Sequence, residues 1–251
     1  MATSMLSSTE RTPVEGVRHR ATARVVGVLF IVATVTALIG GGLVMASLDA
    51  PDYLVQAAAH EGQVVVGVVL EFILALSVIG IAALLLPILR PHGEAMAVGY
   101  VAVRTLEAAF ILMATTTALL VLGLGQDGGS AIAAGVEPVG SALLSAREWT
   151  YFVGTMPLFG VSAVILNTVL YRSRLVPAWL SLWGLVGGLL LLTYAGAELL
   201  GVESAIPLQL LAAPIALQEM ALAGWLIAKG FTRTTPPPTE PAPAGVAGQG
   251  A

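Results

Sequence analysis

The chain contains no cysteine. That excludes disulfides, iron–sulfur clusters and thiolate metal sites, and it leaves the redox compartment undetermined. Charge is scarce too: 10% of the residues are Asp, Glu, Lys or Arg, against roughly 25% in an average soluble domain. So few charges cannot cover a water-facing surface. Lys229 is the only lysine, a bias towards arginine that reads as composition, not as a site. A formal net charge of −4, with no basic cluster among aromatics, argues against nucleic acid as a partner. The histidines, His19, His60 and His92, are far apart in sequence. No zinc or haem ligand set arises from them, and no metal or cofactor is expected. Nucleophile elbows, phosphate-binding loops and HExxH motifs are missing as well. Gly40–Gly42 falls in an apolar run and is no nucleotide cradle. These absences point away from an enzyme, with carboxylate-only chemistry inside a membrane as a lesser alternative.

What the chain does have is hydrophobicity, 57% of residues, gathered in long runs. About 20 consecutive apolar residues span the hydrocarbon core of a bilayer. Six runs qualify: about 25–48, 64–89, 96–124, 151–170, 179–200 and 207–227. Hydrocarbon offers no water to the backbone, so each run must satisfy its own hydrogen bonds as a helix. The short alternating segments of a membrane β-barrel are not seen. The expected fold is all-α, a polytopic bundle of six transmembrane helices in one domain over 25–231. A polar tail (1–24) precedes it, and a disordered Pro/Ala-rich tail (232–251) follows. The first run is too long for the apolar region of a signal peptide. Residues 51–59 and 139–146 could each form a short interfacial helix.

Basic residues give the orientation. Arg11, Arg18, Arg20, Arg24, Arg90, Arg172, Arg174, Lys229 and Arg233 fall on one side, and Arg147 alone falls in a loop on the other. The positive-inside rule then puts both termini in the cytoplasm, with the protein in the inner (plasma) membrane. Arg172 and Arg174 would anchor their loop to anionic headgroups on the cytoplasmic face.

Glu71, Arg104, Glu107 and Glu219 fall inside the apolar runs. A charge at mid-bilayer costs roughly 2.5–3.5 kcal/mol on insertion scales, so such residues face the bundle interior and pair. Arg104 and Glu107 are one helical turn apart and can touch. Small residues flank two of the acids at helical spacing: Gly67, Ala75 and Ala82 around Glu71, and Ala212, Ala216 and Ala223 around Glu219. We expect one buried, acid-rich cluster, serving either as structural glue or as a site for a proton, an ion or a small solute. A softer stripe, Glu148, Thr155 and Ser162, repeats every seven residues in the fourth run, which Pro157 should kink. Trp149, Tyr151, Trp179 and Trp183 near run ends suggest an interfacial aromatic belt.

Several segments resemble one family. They are Ala23-Arg24-Val25-Val26-Gly27, Arg104-Thr105-Leu106-Glu107-Ala108, the stretch from Tyr171 to Ser181 (YRSRLVPAWLS), and the stretch from Glu219 to Phe231 (EMALAGWLIAKGF). In these the chain resembles the bacterial membrane proteins of domain-of-unknown-function family 4386, over about residues 21–231. Ala178 stands where that family often has a basic residue. The resemblance implies a multi-helix bacterial inner-membrane protein and assigns no activity. It places Arg104, Glu107 and Glu219 inside shared motifs. The expected partners are the lipid bilayer and a proton, ion or small solute, with room for a homo-oligomer or a membrane protein partner.

Overall fold

The computed structural model describes residues 13–127, 135–202 and 207–232, the side chains of 13–19 and of 208–209 excepted. The polar start of the chain and the Pro/Ala-rich tail from 233 onward lie outside the described residues. Within them the elements are helices: α1 (Pro13–Leu48), α2 (Tyr53–Ala59), α3 (Glu61–Leu89), α4 (Glu94–Gln126), α5 (Glu137–Val153), α6 (Phe159–Ser173), α7 (Ala178–Leu199) and α8 (Ala213–Ala228). A π-helical turn, Gly154–Leu158, joins α5 to α6 without a break. Among the described residues six helices are long and apolar enough to cross a membrane: Arg20–Leu48, Glu61–His92, Glu94–Gln126, Glu137–Ser173, Ala178–Leu199 and Leu210–Ala228. The protein is a six-span helical membrane protein.

Two boundaries differ from the sequence reading. The first helix starts at Pro13, well before the apolar run. Proline suits a first helical turn, because its missing N–H would be unpaired there anyway. The fourth span starts at Glu137, not near 151, so residues 139–146 are its first turns and not a separate interfacial helix. Residues 53–59 do form a short helix of their own, α2.

The six spans form a ring. Each packs on the spans before and after it, and the first closes the ring by packing on the last (α1 on α8). Alternating spans put the start of α1 and the end of α8 at one end of the bundle, the proximal end. There the Thr232 N–H donates to the Leu175 carbonyl at 2.7 Å, tying the end of α8 to the α6–α7 loop. At the opposite, distal end the Tyr53 hydroxyl donates to the Glu137 carbonyl at 3.3 Å. Apolar attraction between helices is lost in lipid, so close backbone approach must hold the ring. Glycine supplies it. A Cβ on Gly40 would stand 3.0 Å from the Gly67 carbonyl oxygen, and one on Gly187 would stand 2.9 Å from the Ile215 nitrogen.

The core is not uniform along the membrane normal. In the proximal half one apolar cluster joins the helices of the ring, with Ala23, Phe30, Leu85, Tyr100, Leu170, Leu180 and Leu222 among its members. In the distal half the buried apolar residues divide. Val44, Leu54, Val64 and Val121 form one group on α1–α4, Leu74, Val78 and Ile111 form a second on α3 and α4 nearer mid-depth, and Ala163, Leu191, Tyr194 and Ile215 form a third on α6–α8.

Candidate functional site

The structure divides the expected charge cluster into two networks on opposite halves of α4. Residues 104 and 115, which anchor them, are separated by about 16 Å of helical rise.

The distal network is built on Glu71 of α3, whose side chain is 0% exposed. It meets Arg147, not Arg104. Arg147 Nη2 donates to Glu71 Oε1 at 2.5 Å, and Nη1 donates to Oε2 at 3.2 Å. Nη1 also donates to the Ala114 carbonyl at 2.7 Å, and the Thr115 hydroxyl donates to Glu71 Oε2 at 2.9 Å. The Tyr151 ring lies 5.5 Å under the guanidinium. Sequence reasoning placed Arg147 in a loop because two charges and a tryptophan follow one another at 147–149. The helix from Glu137 carries Arg147 inward while Glu148 and Trp149 stay exposed. A signal was available: Glu71 had no basic partner at its depth, and Arg147 was the one basic residue assigned to that side.

In the proximal network Arg104 serves two carboxyls. Its Nη1 donates to Glu107 Oε1 at 3.0 Å and Oε2 at 3.1 Å, and Nη2 donates to Glu219 Oε1 at 3.3 Å. Its Nε donates to the Tyr100 hydroxyl at 3.2 Å, and the Phe159 ring lies 5.2 Å from the guanidinium carbon. The Arg104–Glu219 contact crosses the ring, from α4 to α8. Arg104 lies about 15 Å of helical rise from Glu94, and Glu219 a similar rise from the proximal end of α8, so the two sit at matching depth. The side chains of Arg104 and Glu107 are 4% and 5% exposed, that of Glu219 16%.

The small-residue flanks hold in part. Gly67, Ala75, Ala82 and Ala223 are buried, whereas Ala216 is exposed. The stripe Glu148, Thr155 and Ser162 does not share a face: Glu148 is exposed, Thr155 half-buried and Ser162 buried. The reason is the π turn, which widens the helix between them and shifts the register that a seven-residue repeat assumes. Thr155 and Ser162 bond backbone carbonyls of their own span, at 2.8 Å and 2.9 Å. Arg172 and Arg174 are exposed at the proximal end, and Arg174 caps α6 in the left-handed conformation at φ 55°. Trp179 and Trp183 stack there, while Tyr151 belongs to the distal network instead of to an aromatic belt.

A third polar contact went unnoticed in the sequence. Gln218, next to Glu219, donates to Asn167 Oδ1 and to the Leu180 carbonyl, both at 3.2 Å, so α8 is tied to α6 and α7 as well as to α4. Among the described residues no group of His, Asp or Glu could hold a metal ion.

The family model for a domain of unknown function, DUF4386, matches residues 25–230. The chain belongs to the DUF4386 family. Its matched region holds both networks and all of the spans except the first five residues of the first. No match was found among curated proteins or among solved structures.

Proposed function

We propose that this DUF4386 protein is a non-enzymatic plasma-membrane protein that handles a proton or small solute cation at Arg104, Glu107 and Glu219. The observation that carries this reading is charge balance. One guanidinium faces two carboxyls in a buried site. With both acids ionised the site would hold an uncompensated negative charge, which burial in hydrocarbon strongly disfavours. One added proton, or one bound monovalent cation, makes it neutral. A site that is neutral in either state can exchange one for the other, which is the elementary step of proton-coupled movement.

The distal network supports a different role. Glu71 and Arg147 balance each other, are bonded at two points and are sealed. That is the equipment of a structural lock between α3, α4 and α5. Both termini are assigned to the cytoplasm. With Arg147 inside a span, the segments 49–60, 127–136 and 200–207 hold no Lys or Arg, in keeping with the positive-inside rule.

The test is flux. Purified protein in vesicles, given an imposed proton gradient, should dissipate it, and Glu107→Gln and Glu219→Gln should stop this while still folding. Unchanged flux in both folded variants would sink the reading.

A further inference from the structure

We infer that the proximal end carries a site for the phosphodiester headgroup of an anionic phospholipid. Its donors are Arg20 and Arg24 of α1, Arg172 and Arg174 at the α6–α7 loop, and Lys229 after α8. The inference stands apart from the charge-exchange reading above.

The fold brings these segments together. A Cβ on Gly230, the residue after Lys229, would stand 3.7 Å from Arg20 Cγ and 3.7 Å from the Ala23 Cβ of α1. Two residues on, the Thr232 N–H donates to the carbonyl of Leu175, the neighbour of Arg174. Arg20 also shares a face of α1 with Gly27, two turns further on, and Gly27 packs on α8. Around the ring the fourth, fifth, sixth and first spans are consecutive neighbours, so these cations occupy one continuous arc. On the other arc, Arg90 between α3 and α4 is already paired with Glu94.

The arc lacks counter-charge. Arg20, Arg24, Arg172, Arg174 and Lys229 are exposed. Among the described residues none of their side chains makes a hydrogen bond or an ion pair. Glu94 is the one acid among the side chains described at this end, and Arg90 holds it. Helix C-termini attract cations, which accounts for Arg172 and Lys229. It does not account for Arg20 and Arg24, which belong to the N-terminal part of α1. Nor does it account for Arg174, which holds φ 55° at a cap that glycine fills without strain. Buried Leu175 and Val176 fix that backbone and leave the guanidinium outside. An even collar of charge would serve for general attachment to headgroups. A one-sided set of unpaired donors fits a discrete anion.

Depth identifies the anion. Arg24 directly precedes the first apolar run, Arg172 and Arg174 flank the end of the fourth span, and Lys229 follows the sixth. Span ends lie in the headgroup layer. Exposed apolar residues begin just distal to the cations, Val25 and Val28 on α1 and Trp179 and Leu182 on α7. A ligand with an anionic head and an apolar tail meets both surfaces, and guanidinium groups suit phosphate oxygens. Trp225 Nε1, buried without a partner, adds one more donor beside Lys229, whose Nζ lies 4.6 Å from the indole ring.

The experiment uses the full chain in phosphatidylcholine nanodiscs, titrated with phosphatidylglycerol spin-labelled on its acyl chain. Electron spin resonance should show a motionally restricted lipid, with phosphatidylglycerol preferred over labelled phosphatidylcholine by about tenfold or more. Arg20→Gln and Lys229→Gln should each weaken that preference by about fivefold. Arg174→Gly should weaken it likewise while keeping or raising the unfolding midpoint in neutral lipid, since glycine suits the cap. Arg90→Gln, on the other arc, should change it by under about twofold. An absent preference in the parent protein overturns the proposal. So does an equal loss in Arg90→Gln and Arg174→Gly, which would make the charge a uniform collar. Millimolar inorganic phosphate, which has the headgroup's chemistry and no tail, should leave the lipid in place. Displacement by phosphate that weakens in the same variants would give these donors to a soluble phosphate compound and overturn the lipid assignment. None of these measurements reads flux, so failure here leaves the reading of Arg104, Glu107 and Glu219 standing.

Discussion

Glu71–Arg147 and Arg104–Glu107–Glu219 are made of the same kinds of group, both bond to α4, and differ in count and closure. The distal network has one acid and one base, fully bonded, with no exposed carboxyl. The proximal one has two acids on one base, and one of those acids is partly open. In hydrocarbon the first arrangement is complete and the second needs one more positive charge. Burial alone therefore does not separate a functional charge from a structural one; stoichiometry does. The fourth span links the two, presenting Arg147 and Tyr151 on one side of the π turn and Phe159 on the other. Gly154 in that turn lets it lie against α4, where a Cβ would come within 3.0 Å of Phe110.

The largest effect should come from breaking the complete pair. Arg147→Met leaves Glu71 buried without its partner, and removal of one member of a buried pair costs about 3–5 kcal/mol. Thermal unfolding in detergent should show this as a large drop in midpoint. Adding Glu71→Met to the same chain should recover much of the loss, since two apolar side chains leave no orphan charge. If the single variant unfolds like the parent, the lock does not exist.

The next effect separates the networks by function. Glu107→Gln and Glu219→Gln keep shape and hydrogen bonding, so each should change stability by only about 1 kcal/mol while flux falls by about tenfold or more. Glu71→Gln should do the reverse, weakening the fold more than the flux. Should Glu71→Gln abolish flux with stability intact, the division between lock and working site is wrong.

A smaller effect probes the tie that sets α8. Asn167 sits where a side chain on Gly184 would be, in direct overlap with a Cβ there. Gly184→Ala must push Asn167 and loosen its contact with Gln218, at a cost of about 1–3 kcal/mol for overpacking. Glu219 should then meet Arg104 less well, and flux should fall together with the unfolding midpoint. A variant with full stability and full flux would remove Gln218 from the account.

Much of this was legible in the sequence. Six runs announced six spans, because hydrocarbon demands about 20 apolar residues whatever the function. Arg104, Glu107 and Glu219 stood out because charges in such runs are rare, and the structure brings those three together. Glu71 also stood out, but its partner did not. Arg147 is followed by Glu148 and Trp149, so a hydropathy window treats the segment as loop, although only one face of that helix meets water or headgroups. The π turn was hidden for a related reason: Pro157 signals a disturbed helix, but not whether it kinks or widens. Asn167 and Gln218 escaped because uncharged polar residues are common in spans and only packing shows which of them meet.

The smallest expected effect sharpens the contrast between buried and exposed pairs. Arg90 and Glu94 form an ion pair of nearly the same spacing as Arg104 and Glu107, about four helical turns earlier in the chain, with side chains 63% and 64% exposed. Solvent and salt screen such a pair, and its worth is about 0–1 kcal/mol. Glu94→Ala should move the unfolding midpoint barely at all, and added salt should erase what difference there is. At the buried pair the same removal, Glu107→Ala, leaves Arg104 with Glu219 alone. Salt cannot reach it, so its effect should persist unchanged at high ionic strength. Equal salt sensitivity at the two sites would mean that water reaches Arg104 freely, and the argument from charge balance would lose its premise.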